Sequence, residues 1–307
     1  MAQSSPTSPT ASFTANVGFE PLRYLRRWIW KMAVATLALM AVGSATRVMN
    51  AGLACPDWPL CYGQLVPAQQ MNLQVFLEWF HRLDASIIGL MAIGLFAMAL
   101  YWRRQLPSWL TWGSALVLGL VIFQGVLGGL TVTQLLRFDI VTAHLGTALL
   151  VFCTLLVLGT GLLPHRPLQT AGPLVWLGGS AAVLVYLQSL LGGLVGSRWA
   201  AHQCFGLAEL CQVVNAHLLG IAPPTLTIVG LAVWTWRRPG LDRQLRFLAN
   251  LALGLLALQI ALGVLTFRLH LQIAPLTVSH QAVGAALLGS LVCFTVLAWR
   301  DRAASIS

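Results

Sequence analysis

Four histidines recur at equal spacing in a chain that is otherwise poor in ionisable residues. His81 and His144 are 63 positions apart, and so are His217 and His280. The 307-residue sequence is 58% hydrophobic and only 8% charged, and each of the four stands in a long apolar segment. A histidine there is often only a hydrogen-bonded polar group, but intramembrane ionisable residues are costly and usually mark function. Two imidazoles facing each other inside a four-helix bundle can hold a haem iron at both axial positions.

The two histidine pairs are related by an offset of 136 residues, which predicts an internal repeat. Similar stretches surround them, such as "VTAHLGTALL" and "TVSHQAVGAALL". We expect two four-helix halves at 26–168 and 169–302, between a disordered N-terminal tail at 1–25 and a short C-terminal tail at 303–307. Because each half has an even number of spans, the pseudo-two-fold axis would run along the membrane normal. Three histidines do not fit this regular spacing and are assigned no ligand role: His165, His202 and His270.

A cluster of charged residues accompanies only one of the four histidines. Four ionisable residues fall within one short stretch at the start of an apolar segment: Glu78, His81, Arg82 and Asp84. In the second half Val214 takes the place of Glu78, and the other charges are lost as well. Because Glu78 precedes His81 by one helical turn, its carboxylate would lie near the edge of a haem bound there, placed for general acid–base catalysis. The structural alternative is an ion pair of Glu78 with Arg82, and Arg82 is also a candidate contact for a haem propionate.

Eight apolar segments are long enough to cross a membrane as helices. They are predicted near 28–46, 79–102, 109–133, 140–163, 172–196, 212–235, 247–267 and 275–299. The Lys and Arg residues between them favour cytoplasmic N- and C-termini by the positive-inside rule. The net charge of +10 follows from this topology and does not indicate nucleic-acid binding. The sequence therefore predicts an all-α integral membrane protein of two four-helix bundles, with the four histidines toward the outer face.

Two pairs of cysteines fall in predicted outer loops. The first loop holds Cys55 and Cys61, and the second holds Cys204 and Cys211. Close pairs in an oxidising compartment indicate two disulfides, each within its own loop. The alternative is a four-cysteine metal site, although these spacings are wider than those of the usual zinc pairs. Two further cysteines lie inside predicted spans, where we expect them to act as small buried hydrophobic residues: Cys153 and Cys293.

Several motifs resemble those of the haem A synthase family. They are "GSATRVMNAGLACPDWPLCYGQLVP" after the first span, and "EWFHR", "TAHLG", "NAHLLG" and "SHQAVGA" in spans two, four, six and eight. The resemblance covers nearly everything from about residue 28 to 299. It implies oxidation of a porphyrin-ring methyl group of haem O to the formyl group of haem A, the cofactor of terminal oxidases. Two successive hydroxylations are implied, through an alcohol and then a geminal diol that loses water.

The resemblance also implies roles for individual residues. His81 and His144 would bind the iron of the substrate, haem O. His217 and His280 would hold a resident haem b. Glu78 matches the acidic residue of the family, and proton transfer during methyl oxidation is its implied role.

The partners and location follow from the same resemblance. Cys55 and Cys61 match a pair found in many bacterial members, which implies a multi-pass protein of the bacterial cell membrane. The implied partners are haem O, membrane lipid and an electron acceptor that the sequence does not identify. The sequence also leaves open whether the enzyme that produces haem O delivers it to this protein. The oligomeric state is likewise not specified by the sequence.

A di-haem membrane electron carrier of the cytochrome b type is the main alternative function. It accounts for the four histidines, but not for the charge cluster of the first half or for the 14 additional residues between its cysteine and its histidine. A transporter built from repeats is a further alternative. A transporter would favour polar residues near the membrane midplane, whereas the charges of this chain lie at the ends of its spans.

Overall fold

The protein is all-helical throughout the part that the computed structural model describes, which is residues 21–164, 168, 170–196, 208–269 and 272–303. Within these ranges, eight helical segments are long and apolar enough to cross a membrane. The helices are α1 (Pro21–Val48), α2 (Leu73–Tyr101), α3 (Ser108–Thr133), α4 (Phe138–Gly161), α5 (Leu174–Val195), α6 (Ala208–Leu219), α7 (Ala222–Trp236), α8 (Arg243–Arg268) and α9 (Ala274–Ala303). A single turn of 3-10 helix, Ala68–Gln70, precedes α2. The predicted class of an all-α integral membrane protein is confirmed.

The helices pack as two closed rings of four spans. In the first ring, α1 contacts α2, α2 contacts α3, α3 contacts α4, and α4 returns to α1. In the second ring, α5 contacts α6 and α7, α7 contacts α8, α8 contacts α9, and α9 returns to α5. The rings meet along α4, α5, α9 and α1. The pseudo-two-fold relation between the halves and the cytoplasmic position of the termini stay predictions.

The segment predicted as one helix at 212–235 is divided in two shortly after His217. Helix α6 ends there, and α7 begins after a break of two residues. Pro223 and Pro224 have no N–H to donate to the carbonyl groups one turn earlier, so the α-helical hydrogen-bond ladder cannot run across this point. Proline is well tolerated in the first turn of a helix, where that N–H would be unpaired in any case, and α7 therefore starts at this position.

The apolar core lies where the two rings meet, and α4 and α9 are its central helices. In the most apolar stretch, 44% of α4 and 56% of α9 is buried, against 39% or less in the other spans. Phe294 of α9 is fully buried in this core, and Asp301 near the end of α9 accepts backbone N–H groups from the linker between α4 and α5. At the other end of the chain, α1 begins at Pro21, inside the range 1–25 assigned to a tail.

Candidate functional site

The four regularly spaced histidines stand on helices that lie opposite each other within each ring. His81 on α2 and His144 on α4 are separated by α1 and α3, which contact both of those helices. In the second ring His217 is on α6 and His280 is on α9; α5 contacts both of these helices, and α8 contacts α9 and α7, the continuation of the α6 span. The structure thus places the two members of each predicted pair in the same ring.

Each of these imidazoles packs against a glycine on a neighbouring helix. A Cβ atom added to that glycine would lie 2.8 to 3.4 Å from Cε1 of the ring, closer than most real contacts of this kind. The pairs are Gly43–His81, Gly128–His144, Gly192–His217 and Gly263–His280. A side chain larger than hydrogen at these positions would displace the imidazole, so the glycines set where the rings can lie.

The second ring encloses a cavity of about 450 Å³ between its two histidines. His217 and His280 both line it, and most of the remaining wall is apolar. Two cationic side chains, Arg47 and Arg268, also line it. Arg47 comes from α1 of the first ring, and its guanidinium reaches the backbone carbonyl of Gly193 at 3.5 Å. This size lies within the usual range for small-molecule and cofactor sites, which are mostly apolar with a few polar groups.

Glu78 is buried beside His81 and contacts the disulfide loop, the segment 49–72 between α1 and α2. Its Oε2 accepts a hydrogen bond from the backbone N–H of Cys55 at 2.8 Å, while its Oε1 accepts one from the Arg82 guanidinium. The two side chains are only 5% and 15% exposed, so this is a largely buried ion pair. Of the two roles predicted for Arg82, the pairing contact with Glu78 is present in the structure.

Arg82 also binds the disulfide loop through its guanidinium. Its guanidinium donates to the backbone carbonyl of Asp57 at 2.6 Å, and to the carbonyls of Leu60 and Cys55. The predicted Cys55–Cys61 disulfide closes the same loop. One guanidinium thus binds three backbone carbonyls of the disulfide loop and joins this loop to α2.

The disulfide loop has its own internal order. The Asp57 carboxylate accepts the backbone N–H groups of Tyr62 and Gly63 at 2.6 and 2.8 Å. The N–H of Gly63, then that of Tyr62 and the charge of Arg82, hold the pKa of Asp57 below its usual range. Trp58 lies against the backbone of Gly129 at the end of α3, where an added Cβ would be 3.2 Å from the indole. The loop is thus attached to both α2 and α3.

Some of the predicted residues lie outside the described part of the chain. Cys204 is among them, and the side chain of Cys211 is not described, so the second disulfide stays a prediction. The three histidines that were assigned no ligand role are also outside it: His165, His202 and His270. Cys153 and Cys293 are partly buried free thiols, in agreement with a packing role.

Comparison with known proteins identifies the family. The model of COX15-CtaA, described as cytochrome oxidase assembly protein, matches residues 26–292. The chain belongs to the COX15-CtaA family. The heme A synthase of Shewanella oneidensis is 28% identical over 91% of this chain and 98% of its own length. The heme A synthase of Caulobacter sp. (strain K31) is 30% identical over 90% of this chain and 95% of its own length. Heme A synthase COX15 of Mus musculus is 26% identical over 87% of this chain and 80% of its own length. The resemblance inferred from the motifs is confirmed.

The COX15-CtaA geometry fits haem at the histidine pairs. Nδ1 of His81, His144 and His280 is buried with no hydrogen-bond partner, as expected for imidazoles shaped to serve a further group. The neighbouring glycines let the imidazoles lie where a Cβ atom would crowd them. In the described residues no cluster of three or more His, Cys, Asp or Glu side chains could hold a bare metal ion. Two imidazoles on opposite helices are the donor set that would hold a haem iron.

Three glutamines that contact these histidines were not singled out from the sequence: Gln124, Gln188 and Gln259. Each stands four residues before one of the glycines just described, so a Gln-x-x-x-Gly pattern on α3, α5 and α8 was the available signal. Arg47 was missed for a different reason. It belongs to the first half by sequence, and only the packing of α1 brings it to the cavity of the second ring.

Proposed function

We propose that this COX15-CtaA protein is a haem A synthase, an oxidoreductase that converts haem O to haem A for cytochrome oxidase assembly. The observation that carries this proposal is the family match over residues 26–292, together with heme A synthases matched over most of their length. The two histidine pairs add physical support, because each would provide two imidazoles to hold a haem iron.

We place the substrate haem O in the first ring, between His81 and His144. The support is the difference between the rings, since only the first has a carboxylate, Glu78, one turn from a histidine. The counterpart of Glu78 in the second ring, Val214, lines an apolar cavity. A haem that only carries electrons needs ligands and a dry pocket, whereas a haem whose methyl group is oxidised also needs a group that transfers protons.

The chemistry assigns this chain a limited set of tasks. Written with water as the source of oxygen, each hydroxylation replaces a C–H bond of the ring methyl group by a C–OH bond, and releases two protons and two electrons, the electrons to an acceptor outside this chain. The geminal diol formed by the second hydroxylation then loses water to give the formyl group. The histidines orient the substrate, the disulfide loop covers the end of the first ring and limits access of water, and Glu78 exchanges protons near the methyl carbon.

We place a resident haem b in the second ring, between His217 and His280. The cavity there has a suitable size and apolar walls, and the two histidines line it. Arg47 and Arg268 line the same cavity and are suited to bind the propionate carboxylates, since arginine binds carboxylates through paired hydrogen bonds. When bound, haem b supplies one-electron redox chemistry next to the substrate site.

The orientation of the protein in the membrane is inferred from its Lys and Arg distribution and from its disulfide. The chain is a multi-pass membrane protein, and we assign it to the bacterial cell membrane, with the disulfide loop on the outer side. The Lys and Arg distribution supports this orientation. The Cys55–Cys61 disulfide supports it independently, because disulfides persist in oxidising compartments outside the cytoplasm.

A cytochrome b-type electron carrier, the alternative that the sequence left open, is not favoured. The relatives matched over most of this chain are heme A synthases. Electron transfer alone also does not explain why charged residues surround only His81 among the four histidines.

The deciding experiment is expression in a cell that makes haem O but has no haem A synthase of its own. Haems extracted from the purified protein and from the membranes are then identified by mass. We expect haem A with the wild-type protein, and haem O without haem A for His81→Ala and for the empty vector. Haem b alone, with haem O present in the cell, would support the electron carrier instead.

A further inference from the structure

The first half of the chain has 14 more residues between its loop cysteine and its histidine than the second half. The stretch that contains them, between Cys61 and His81, forms the end of the disulfide loop and the first turns of α2. From Trp58 to Leu77 it has no charged side chain. The haem sites proposed above make no use of this uncharged segment.

Four large apolar side chains of this stretch are exposed. Leu65 is 82% exposed and Val66 is 54% exposed, next to each other near the end of the disulfide loop. On α2, Phe76 and Phe80 are also exposed, and their rings stack with the centroids 5.7 Å apart. We call these four residues the outer apolar patch. Exposed apolar surface of this kind marks a contact with a membrane or with another protein.

Trp79 joins the two parts of the outer apolar patch. Its indole N–H donates to the backbone carbonyl of Leu65 at 2.7 Å. The centroid of its ring lies 6.1 Å from that of Phe76. The indole also packs against the buried cluster that contains the disulfide. The apolar end of the loop is therefore attached beside the second turn of α2.

The length of α2 indicates the depth of this attachment in the membrane. From Trp79 to the end of α2 at Tyr101 the helix rises about 33 Å, and Arg103 and Arg104 follow directly. The hydrocarbon core of a bilayer is about 30 Å thick, and arginines mark its cytoplasmic boundary. Trp79 then lies at the outer boundary, where tryptophan is enriched. Leu65, which is bonded to it, lies at the level of the outer headgroups.

The backbone at the end of the loop is suited to the same depth. The carbonyl of Gln64 accepts the N–H of Cys61 at 3.1 Å, and that of Val66 accepts the N–H of Ala68 at 2.9 Å. With the Leu65 carbonyl on the indole, three successive carbonyls are paired within the protein, as an apolar medium requires. The N–H groups of Leu65 and Val66 have no acceptor among the described residues. At headgroup level they can donate to water or to lipid oxygens.

We propose that Leu65 and Val66 insert into the outer interface of the bilayer and anchor the disulfide loop to the lipid. The inference rests on the membrane orientation proposed above and does not depend on haem binding. Lipid surrounds a membrane-spanning helix at the depth of Trp79, so lipid is the medium that meets the patch. Because the patch has no charged side chain, anionic headgroups are not required. The disulfide loop is then held on two sides, by Arg82 and by the membrane.

The first test measures the depth of the loop end. A dansyl-bearing amino acid is incorporated genetically in place of Leu65 and, in a second protein, in place of Gln69, which is exposed in the 3-10 turn before α2. Each protein is reconstituted in vesicles of zwitterionic lipid, with and without lipid that is brominated near the head of the acyl chains. We expect the emission at position 65 to shift to shorter wavelength and to be quenched by the brominated lipid. The emission at position 69 should change little.

The second test removes the apolar side chains. In lipid nanodiscs, protease cleavage within residues 49–72 should be about 10-fold faster in the double variant Leu65→Ser, Val66→Ser than in wild type, because burial of apolar side chains stabilises the anchored loop. Gln69→Ser is the matched control and should behave as wild type. Addition of anionic lipid to the nanodiscs should leave the wild-type rate unchanged, since no charge of the patch would respond to it.

Each outcome decides the inference. Emission at position 65 that matches that at position 69 and resists quenching would place the loop end in water and overturn the anchor. Emission at short wavelength that brominated lipid does not quench would show that protein covers the patch, and would also overturn it. Equal cleavage of the double variant and wild type would contradict the role of Leu65 and Val66. A protein that anchors its loop but binds no haem would leave this inference intact and overturn the proposed function.

Discussion

The buried carboxylate of Glu78 accepts the backbone N–H of Cys55 at 2.8 Å, so the helix that carries His81 is joined directly to the disulfide loop. Arg82, one turn later, pairs with Glu78 and binds carbonyls of the same loop. The Glu78–Arg82 ion pair, which was the structural alternative to acid–base catalysis, is therefore present. Both of its side chains also bind the backbone of the disulfide loop. It holds the loop over the site where we place the substrate.

Replacement of Glu78 separates its two roles. Glu78→Gln keeps an acceptor for the Cys55 N–H but cannot exchange a proton at neutral pH. Because it also leaves Arg82 without its anion, we expect a protein that folds with reduced stability. The rate of haem A formation should fall by about 10²–10⁴-fold, with haem O accumulating. Glu78→Ala should reduce stability further, because the Cys55 N–H loses its acceptor and an unpaired buried group costs about 1–3 kcal/mol. The measurements are the haem A to haem O ratio and the thermal unfolding temperature.

Asp84→Asn is the matched control for these variants, since it neutralises a nearby carboxylate that is not part of the Glu78–Arg82 ion pair. It should behave as wild type. Haem A formation at the normal rate by Glu78→Gln would leave Glu78 with a structural role only.

The disulfide loop should depend more on Arg82 than on its disulfide. The double variant Cys55→Ser, Cys61→Ser removes a crosslink over a short loop, which stabilises by only about 2–3 kcal/mol. Arg82→Leu removes the donors to three loop carbonyls and leaves the buried Glu78 carboxylate without its cation, a loss of about 3–5 kcal/mol for a buried pair. Protease cleavage within residues 49–72 should therefore be faster in Arg82→Leu than in the serine variant. Faster cleavage of the serine variant than of Arg82→Leu would contradict the role of Arg82 in holding the loop.

The histidine pairs should be separable by mutation. His217→Ala or His280→Ala should abolish binding of haem b and its low-spin spectrum, because each removes one axial ligand. His81→Ala should leave haem b in place and reduce the content of haem O and haem A. Extracted haems and the reduced spectrum of each purified variant check this. A complete bis-histidine spectrum of haem b in both second-ring variants would rule out their assignment as ligands.

Arg47 should link the two halves through the resident haem. It lies on α1 of the first ring but lines the cavity of the second. Arg47→Leu should lower the midpoint potential of haem b, because removing a nearby positive charge favours the ferric state, and should speed loss of haem b to a scavenger. Arg47→Lys keeps the charge but not the paired hydrogen bonds, so it should retain the potential while losing haem faster than wild type. Unchanged potential and haem loss in Arg47→Leu would place the propionates elsewhere.

The order of the disulfide loop should depend on acid pH through Asp57. Its pKa is lowered in the folded loop, chiefly by the N–H of Gly63. A lowered pKa means that the ionised form is favoured by folding. The contribution of the Asp57 carboxylate to the stability of the folded loop is therefore complete above the pKa of the unfolded chain, about 3.9. This contribution is lost as pH falls through the pKa of the folded loop. Hydrogen exchange of the 55–65 segment, corrected for the intrinsic rate, should accelerate below about pH 4 in wild type but not in Asp57→Asn.

Composition and apolar periodicity were sufficient for the fold class and for most spans. A chain in lipid must satisfy its backbone hydrogen bonds within each segment, so a long apolar stretch has little choice but a helix. The predicted spans 109–133 and 247–267 accordingly match α3 and α8 closely. The equal spacing of the histidines likewise predicted their pairing, since helices of similar length place equally spaced residues at similar depth.

Other features depended on how the helices and loops pack. Glu78 and its partner Cys55 are 23 residues apart across a loop of irregular backbone, whose path no local pattern determines. The contacts of Gln188 and Arg47 depend on helix–helix register, which side-chain packing decides after the spans have formed. Periodicity reports which residues face away from lipid. Which of those residues touch each other is determined only when the two rings close.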